Sequence, residues 1–157
     1  MTHFTRRVCL MTFMGLFLAP SVWAEEEKPT LAFYVVSKEK IGGSRFIDTK
    51  EFPKLGYIAA KPGLVIAQLK EVRLNKRASD RANILITLQD NQVDQLEGFT
   101  GKNVGKKILL MLGNEPLFAP RVLEKIRTPA LQISLSEEKK RMKILKALKE
   151  LVEKPKH

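Results

Sequence analysis

The fold can be worked out from one stretch of the sequence, Lys107-Ile108-Leu109-Leu110-Met111-Leu112, which is followed by Gly113-Asn114. Its five consecutive large apolar side chains predict a strand that is buried on both faces. Gly113-Asn114 predicts a hairpin turn, because glycine readily adopts the positive φ that tight turns require. Leu117-Phe118-Ala119 is then the returning strand. Pro120 lacks an amide hydrogen, so it restricts that strand to an edge or a bulge.

Further strands and a helix lie on either side of this hairpin in the chain. Asn83–Leu88 places apolar residues at every second position and predicts a half-buried strand. Asp90 is a predicted N-cap for a helix over 91–101. After the hairpin, Arg121–Ile126 is expected to continue in extended form. Leu131–Leu135 then alternates in the same way as the first of these strands.

The last predicted helix is amphipathic and strongly basic. Ser136 is the predicted N-cap, and Glu137 and Glu138 suit the positive end of the helix dipole. One side carries an apolar stripe: Met142, Ile144, Leu145, Leu148, Leu151 and Val152. The other side carries lysines: Lys139, Lys140, Lys143, Lys146 and Lys149. The first interpretation is a helix packed on a sheet. The alternative is a helix that attaches to anionic head groups or to a protein partner.

This order of elements predicts an α+β fold, a ferredoxin-like two-layer sandwich with a mainly antiparallel sheet and helices on one face. Upstream, Leu31–Val36 and Leu55–Ala60 predict two more strands. Leu64–Leu74 fits a strand or a helix, and we interpret it as a strand with an exposed extension. The predicted organisation is a signal peptide at 1–24, a β-rich segment at 25–80 packed on the main domain, an α+β domain at 81–153 and a tail at 154–157.

Residues 1–24 have the pattern of a secretory signal. Arg6 and Arg7 precede the apolar run Val8–Leu18, and the small residue Ala24 comes just before three glutamates. The apolar run is shorter than the roughly 20 residues of a membrane span. We therefore expect cleavage after Ala24 and a periplasmic location. Retention of the segment as an anchor and export by the twin-arginine route are the alternatives.

The composition favours a binding protein over an enzyme. Removing 24 of the 157 residues, two of them arginines, leaves 133 residues and a formal charge of +9 rather than +11. Cys9 and His3 are removed with the signal peptide. The mature chain therefore has no cysteine, and its one histidine is His157, the last residue. Cysteine nucleophiles, Cys/His zinc sites and Ser-His-Asp triads are therefore excluded. Catalytic carboxylate pairs remain formally possible at Asp48/Glu51, Asp90/Asp94/Glu97 and Glu137/Glu138. The spacing of Asp90, Asp94 and Glu97 is helical and indicates a solvated helix face, and no glycine-rich phosphate loop is present. We predict no enzymatic activity, no cofactor and no metal.

Several spaced motifs resemble a known family. They are Phe99-Thr100-Gly101-Lys102-Asn103-Val104-Gly105-Lys106-Lys107, Ala119-Pro120-Arg121-Val122 with Glu124 and Ile126, Gln132-Ile133, and Ser136-Glu137-Glu138. Together they resemble the head portion of the large periplasmic domain of SecD, an accessory subunit of the bacterial protein-export machinery, over about residues 84–152. The matched residues are expected to determine the fold: Thr100, Asn103, Val104, Gly105, Ala119, Pro120, Glu124 and Ile126. Thr100 and Asn103 can bond backbone groups at a helix end, and Gly105 permits a close turn.

The resemblance implies an exported, non-enzymatic module that contacts preproteins or Sec components and holds extended peptide at a sheet edge. Gly113-Asn114 and Thr128-Pro129 depart from the family pattern, and the membrane helices of SecD have no counterpart in these 157 residues. A head module, rather than a motor, is therefore expected. The alternative is a cell-envelope adaptor that reuses the fold and attaches its basic helix to anionic lipid or an acidic protein. Nucleic acid is not an expected partner, because export and the lack of aromatic residues among the basic ones argue against it.

Overall fold

The structure, a computed structural model, describes residues 29–76 and 82–152. The predicted signal peptide and the predicted tail at 154–157 lie outside the described residues. In chain order the elements are β1 (Leu31–Ser37), β2 (Arg45–Ile47), β3 (Gly56–Ile58), β4 (Leu64–Ile66), β5 (Glu71–Lys76), β6 (Ala82–Thr87), α1 (Asp90–Gly101), β7 (Lys107–Leu112), β8 (Glu115–Phe118), β9 (Ala130–Ser134) and α2 (Glu138–Glu150). Neither helix of this described part is long and apolar enough to cross a membrane.

The nine described strands form two antiparallel sheets. The larger has the order β2-β3-β1-β7-β8, with β4 also paired to β1, and the smaller has the order β5-β6-β9. The predicted α+β sandwich, mainly antiparallel with two helices, is confirmed, and its strands are divided between these two sheets. Both sheets combine strands from before residue 77 with strands from after residue 81, as in the pairing of β1 with β7 and of β5 with β6.

The main hydrophobic core joins one face of the larger sheet to the smaller sheet and both helices. Ile108 and Leu110 of β7 belong to it, together with Ile84 of β6. Leu96 of α1 and Leu148 of α2 are fully buried in the same cluster. The alternation of apolar residues in β6 and along α2 is explained by this shared core.

A second, smaller core covers the opposite face of the larger sheet. Leu109 and Met111 of β7 pack there with Ile47 and Ile58, and Phe52, from the loop before β3, packs against them. Both faces of β7 are therefore buried, as its unbroken apolar run predicted. Gly113 has φ of 55° in the turn that follows, which is the left-handed backbone expected of this hairpin.

Two predictions about strand extent are wrong. The segment Leu64–Leu74 forms two strands, β4 and β5, which belong to different sheets. The chain changes sheet at Leu69, whose N–H donates to the Leu151 carbonyl at 2.8 Å. Arg121–Ile126 does not form a regular strand: it makes one isolated bridge, from Arg121 to Lys107, and the Ile126 N–H donates to the Thr100 hydroxyl instead of to a neighbouring strand.

Two predicted N-caps and one core residue are also corrected. Gln89, not Asp90, caps α1, because the Gln92 side-chain oxygen accepts a hydrogen bond from the Gln89 N–H at 3.1 Å. Glu137, not Ser136, caps α2, since its carbonyl accepts the first helical hydrogen bond from the Arg141 N–H. Met142 lies off the buried face of α2 and is 50% exposed.

Candidate functional site

The residues of the first SecD-like motif lie where α1 passes into β7. The buried Thr100 hydroxyl donates to the Leu96 carbonyl at 2.7 Å and accepts from the Ile126 N–H at 2.9 Å. The Asn103 amide donates to the Phe99 carbonyl at 2.8 Å. These side chains therefore complete the end of α1 and attach to it the segment that follows β8.

Gly105 connects that turn to the larger sheet. Its φ of 84° is a left-handed conformation that favours glycine. Its N–H donates to the Val122 carbonyl at 2.7 Å, and its carbonyl accepts from the Arg121 guanidinium at 3.0 Å. The Pro120 carbonyl accepts from the Ile108 N–H at 2.9 Å. The chain from β8 to Val122 thus follows the edge of β7, while Val104 beside it is exposed.

Residues 119–129, which we call the linker, cross from the edge of the larger sheet to the edge of the smaller one. Besides the bond from Ile126 to Thr100, a carboxylate of α1 holds the linker. Glu97 Oε1 lies 3.1 Å from Lys125 Nζ and 2.9 Å from Arg127 Nε. The hydrogen bond from Lys125, helped by the charge of Arg127, holds the pKa of Glu97 below its ordinary value.

A cleft of about 340 Å³ opens between this linker and the smaller sheet. The floor of the cleft is the face of the larger sheet that carries Phe33, Ile108 and Leu110. β8 and the linker form one wall, and β9 forms the other. Thr100, at the end of α1, also lines the cleft. The floor and β9 contribute Phe33, Ile108, Leu110, Leu131, Gln132 and Ile133; β8 and the linker contribute Phe118, Pro120, Arg121, Val122, Leu123, Glu124 and Ile126. The lining is therefore apolar with few polar groups, which is typical of a binding site.

Two large apolar side chains of this cleft remain in contact with solvent. Leu123 is 82% exposed and Phe118 is 39% exposed. Scattered apolar residues on a surface need no explanation, but two that line one apolar cleft form a surface that can capture apolar groups. The cleft is suited to burying side chains of another molecule. Among the described residues, no cluster of three His, Cys, Asp or Glu side chains is arranged to hold a metal ion.

Half of the predicted motif residues line this cleft. They are Thr100, Pro120, Glu124 and Ile126. The other four do not line it: Asn103, Val104 and Gly105 form the turn before β7, and Ala119 packs against the second core, on the opposite face of the larger sheet. Sequence reasoning missed the cleft itself. One sequence signal could have indicated the cleft. Apolar residues lie on both sides of Pro120, in a segment that the proline confines to the edge of a sheet.

The five lysines of α2 do not form one free basic face. The Lys140 side chain is only 15% exposed and is ion-paired with Glu51, with Glu115 close by. Lys143 Nζ lies 2.9 Å from Glu115 Oε2. The remaining three lysines of α2 are exposed: Lys139, Lys146 and Lys149. None of them takes part in an ion pair within residues 29–76 and 82–152.

Two solved structures of SecDF share this fold. One, described as a membrane component that enhances protein export, matches with a TM-score of 0.60 and 19% identity, over 78% of this chain and 63% of that chain. The other, SecDF in a super-membrane-facing form, matches with a TM-score of 0.60 and 20% identity, over 78% of this chain and 19% of that chain. No family model and no curated protein sequence matches the chain.

These matches define the class of the protein as an α+β domain with a SecD-like fold. The resemblance predicted from the motifs at Thr100–Gly105 and Ala119–Ile126 is confirmed at the level of the fold. The chain spans less than two thirds of the length of either SecDF chain.

Proposed function

We propose that this protein is an exported, non-enzymatic binding module that assists protein export by holding non-native segments of other polypeptides in the cleft. The observation that carries the proposal is the apolar cleft of about 340 Å³, in which Leu123 and Phe118 remain exposed. An unfolded chain exposes apolar side chains that a folded one buries. An exposed apolar cleft therefore distinguishes non-native polypeptide from native protein.

Two further observations support an export role. The fold is similar to part of SecDF, which is described as a membrane component that enhances protein export. The pattern of residues 1–24 predicts a signal peptide, so the cleft would operate in the periplasm, where translocated chains emerge unfolded. The partners under this proposal are preproteins and components of the Sec translocase.

The chemistry of holding is burial and needs no covalent step. Burying one leucine or phenylalanine side chain contributes about 1.5–3 kcal/mol. Two or three such side chains give weak binding once the cost of ordering the chain is subtracted. Weak binding suits a module that must release its client. Affinity differences between related complexes are mostly differences in dissociation rate, so a weaker complex releases its client faster.

The test is a binding titration with a dye-labelled polypeptide that is kept unfolded by chemical blocking of its thiols. Leu123→Ser and Phe118→Ser each remove an exposed cleft side chain, so the fold should be retained. Ile41→Ser is the matched control, because Ile41 is 63% exposed and does not line the cleft. We expect about tenfold weaker binding for each cleft variant and unchanged binding for the control. Equal binding by all three variants would assign the client to another surface.

A test in cells uses a photoreactive residue in place of Leu123 or Ile41. Under the proposal, the probe at position 123 crosslinks to preproteins during export, and the probe at position 41 does not. Crosslinks to translocase subunits alone would make the cleft a docking site for the machinery and exclude client binding there.

The alternative function, a cell-envelope adaptor attached through α2, rests on the exposed side chains of Lys139, Lys146 and Lys149. It keeps less support than the sequence suggested, because Glu51 and Glu115 already neutralise Lys140 and Lys143. Attachment to anionic lipid would add to cleft binding and would not replace it.

A further inference from the structure

The edge of β9 differs from the other sheet edges of the described residues. Natural proteins protect exposed strand edges with charges, prolines or very short strands. β5, at the opposite edge of the smaller sheet, carries Glu71 and Arg73, and β8 contains Pro116. β2 and β4 are three residues long. β9 has five residues without a charge or a proline, and it pairs with β6 alone among the described strands.

The cleft lies directly beside this edge. Leu131 and Ile133, the inward-facing residues of β9, line the cleft, as do Ile108 and Leu110 of the larger sheet. In a sheet, residues opposite each other on neighbouring strands point to the same face. A strand added next to β9 would therefore send every second side chain into the cleft, between the two sheets.

Charge on the wall facing β9 narrows the choice of occupant. Of the charged linker residues, Arg121 and Glu124 line the cleft, whereas Lys125 and Arg127 do not and are paired with Glu97 of α1. The Arg121 guanidinium donates to the Gly105 carbonyl, and no ion pair of the described residues engages it. Arg121 is therefore the cation of the cleft that can attract a carboxylate from a ligand.

We propose that an extended segment of a client polypeptide pairs with β9 as a fourth strand of the smaller sheet. The segment has apolar residues at alternate positions, which enter the cleft, and an acidic residue at the end nearest the linker. This inference rests on the proposed function and specifies how the client is held. Backbone hydrogen bonds to β9 supply affinity that is independent of sequence, and the cleft supplies the preference for alternating apolar side chains.

The first test uses synthetic peptides of about nine residues with leucine and threonine alternating and a glutamate at one end. In an extended chain, the N–H groups of all the leucines point to one edge and those of all the threonines to the other. N-methylation of one set therefore removes the donors of one edge and leaves the side chains unchanged. Pairing with β9 predicts that one methylated set binds at least tenfold more weakly. The other set binds within about threefold of the parent peptide.

The second test traps the peptide on the strand. In a Cys9→Ser background, Gln132→Cys places a thiol at the exposed position between Leu131 and Ile133 of β9, and Phe118→Cys places one on the opposite wall of the cleft. A peptide with cysteine in place of one threonine should form a disulfide with position 132 and not with position 118. The peptide with glutamine in place of its glutamate should bind about threefold more weakly, an effect that salt reduces.

These outcomes separate the two proposals. Binding that is unaffected by either methylated set overturns pairing with β9 and leaves the proposed function standing. Loss of binding with both sets, or a disulfide at position 118 alone, also overturns the assignment to β9. Absence of binding by every peptide and by the unfolded polypeptide overturns the proposed function itself. A dimer of this protein that the Gln132→Cys variant crosslinks to itself, without peptide capture, assigns the edge to a second copy and overturns the client pairing.

Discussion

Thr100 is the residue at which the helix, the linker and the cleft meet, and its replacement by valine tests whether its hydroxyl holds them together. Valine has nearly the same shape, so the change leaves no cavity and removes only the hydroxyl. The Leu96 carbonyl keeps its helical partner, the N–H of residue 100. The half-buried Ile126 N–H, in contrast, loses the acceptor that lies 2.9 Å away. A buried donor without a partner costs about 1–3 kcal/mol.

Part of that loss is offset, because the added methyl group lies in an apolar site and contributes up to about 0.8 kcal/mol. We therefore expect Thr100→Val to lower the free energy of unfolding by about 1–2 kcal/mol in urea titrations, with an unchanged m-value. Thr100→Ser, the matched control, keeps the hydroxyl and loses one methyl group, so the two variants have similar overall stability.

Amide hydrogen exchange separates the two variants. Thr100→Val should speed exchange at the Ile126 amide relative to the global rate, because that amide has lost its acceptor, whereas Thr100→Ser should keep it protected. If Thr100→Val were within 0.5 kcal/mol of the wild type, on the scale of an ordinary surface substitution, and the Ile126 amide stayed protected, the hydroxyl would not be what holds the linker on α1.

Three other predictions follow from the same contacts. Leu110→Asp should cost several kcal/mol in thermal or urea unfolding, because it buries a carboxylate without a partner; a melt like that of the wild type would remove Leu110 from the core. The depressed pKa of Glu97 means that its contribution to stability is complete above its ordinary pKa of 4.5 and is lost as the pH falls through the lower folded value. Unfolding midpoints of wild type and Glu97→Gln, measured between about pH 3 and pH 6, should therefore converge at the acid end, and a constant difference would contradict the ion pairs with Lys125 and Arg127. Replacing the three exposed lysines of α2 by glutamine should weaken co-sedimentation with anionic vesicles about a hundredfold, at about 1 kcal/mol for each lysine, whereas Lys143→Gln should have little effect; equal binding by both would exclude α2 as the membrane contact. The lysines replaced together are Lys139, Lys146 and Lys149.

The elements that the sequence predicted well are those whose signal is local. The apolar run at 107–112 and the alternation at 83–88 each depend on a few consecutive residues, and both are strands in the structure. The spaced motifs carried information about the whole fold, because their spacing is set by how the elements pack. The division of the strands between two sheets was not predictable in this way, since β4 and β5 are separated by only four residues and nothing local says which sheet each joins.

The candidate site was less predictable for a related reason. Lys140 looked like one member of a solvent-facing row, and its partner Glu51 lies 89 residues away in the chain. The cleft likewise depends on Phe33, on β7 and on the linker, which meet only after folding. Sequence pattern identified the motif residues Thr100 and Pro120 as important to the fold but carried no information on the empty space beside them.

That the cleft stays open is itself informative. A segment with an exposed leucine gains free energy by folding that leucine into an adjacent apolar space, so an open cleft is expected to be held open by other contacts. Here the linker is attached by the Thr100 hydroxyl to Ile126, by Glu97 to two cations and by Arg121 to the Gly105 carbonyl. Leu123, which lies in the chain between these attachments at Arg121 and Ile126, is exposed at the cleft. An exposed leucine and an unprotected strand edge would both promote aggregation, and holding them apart by specific bonds is what a surface built to receive another chain requires.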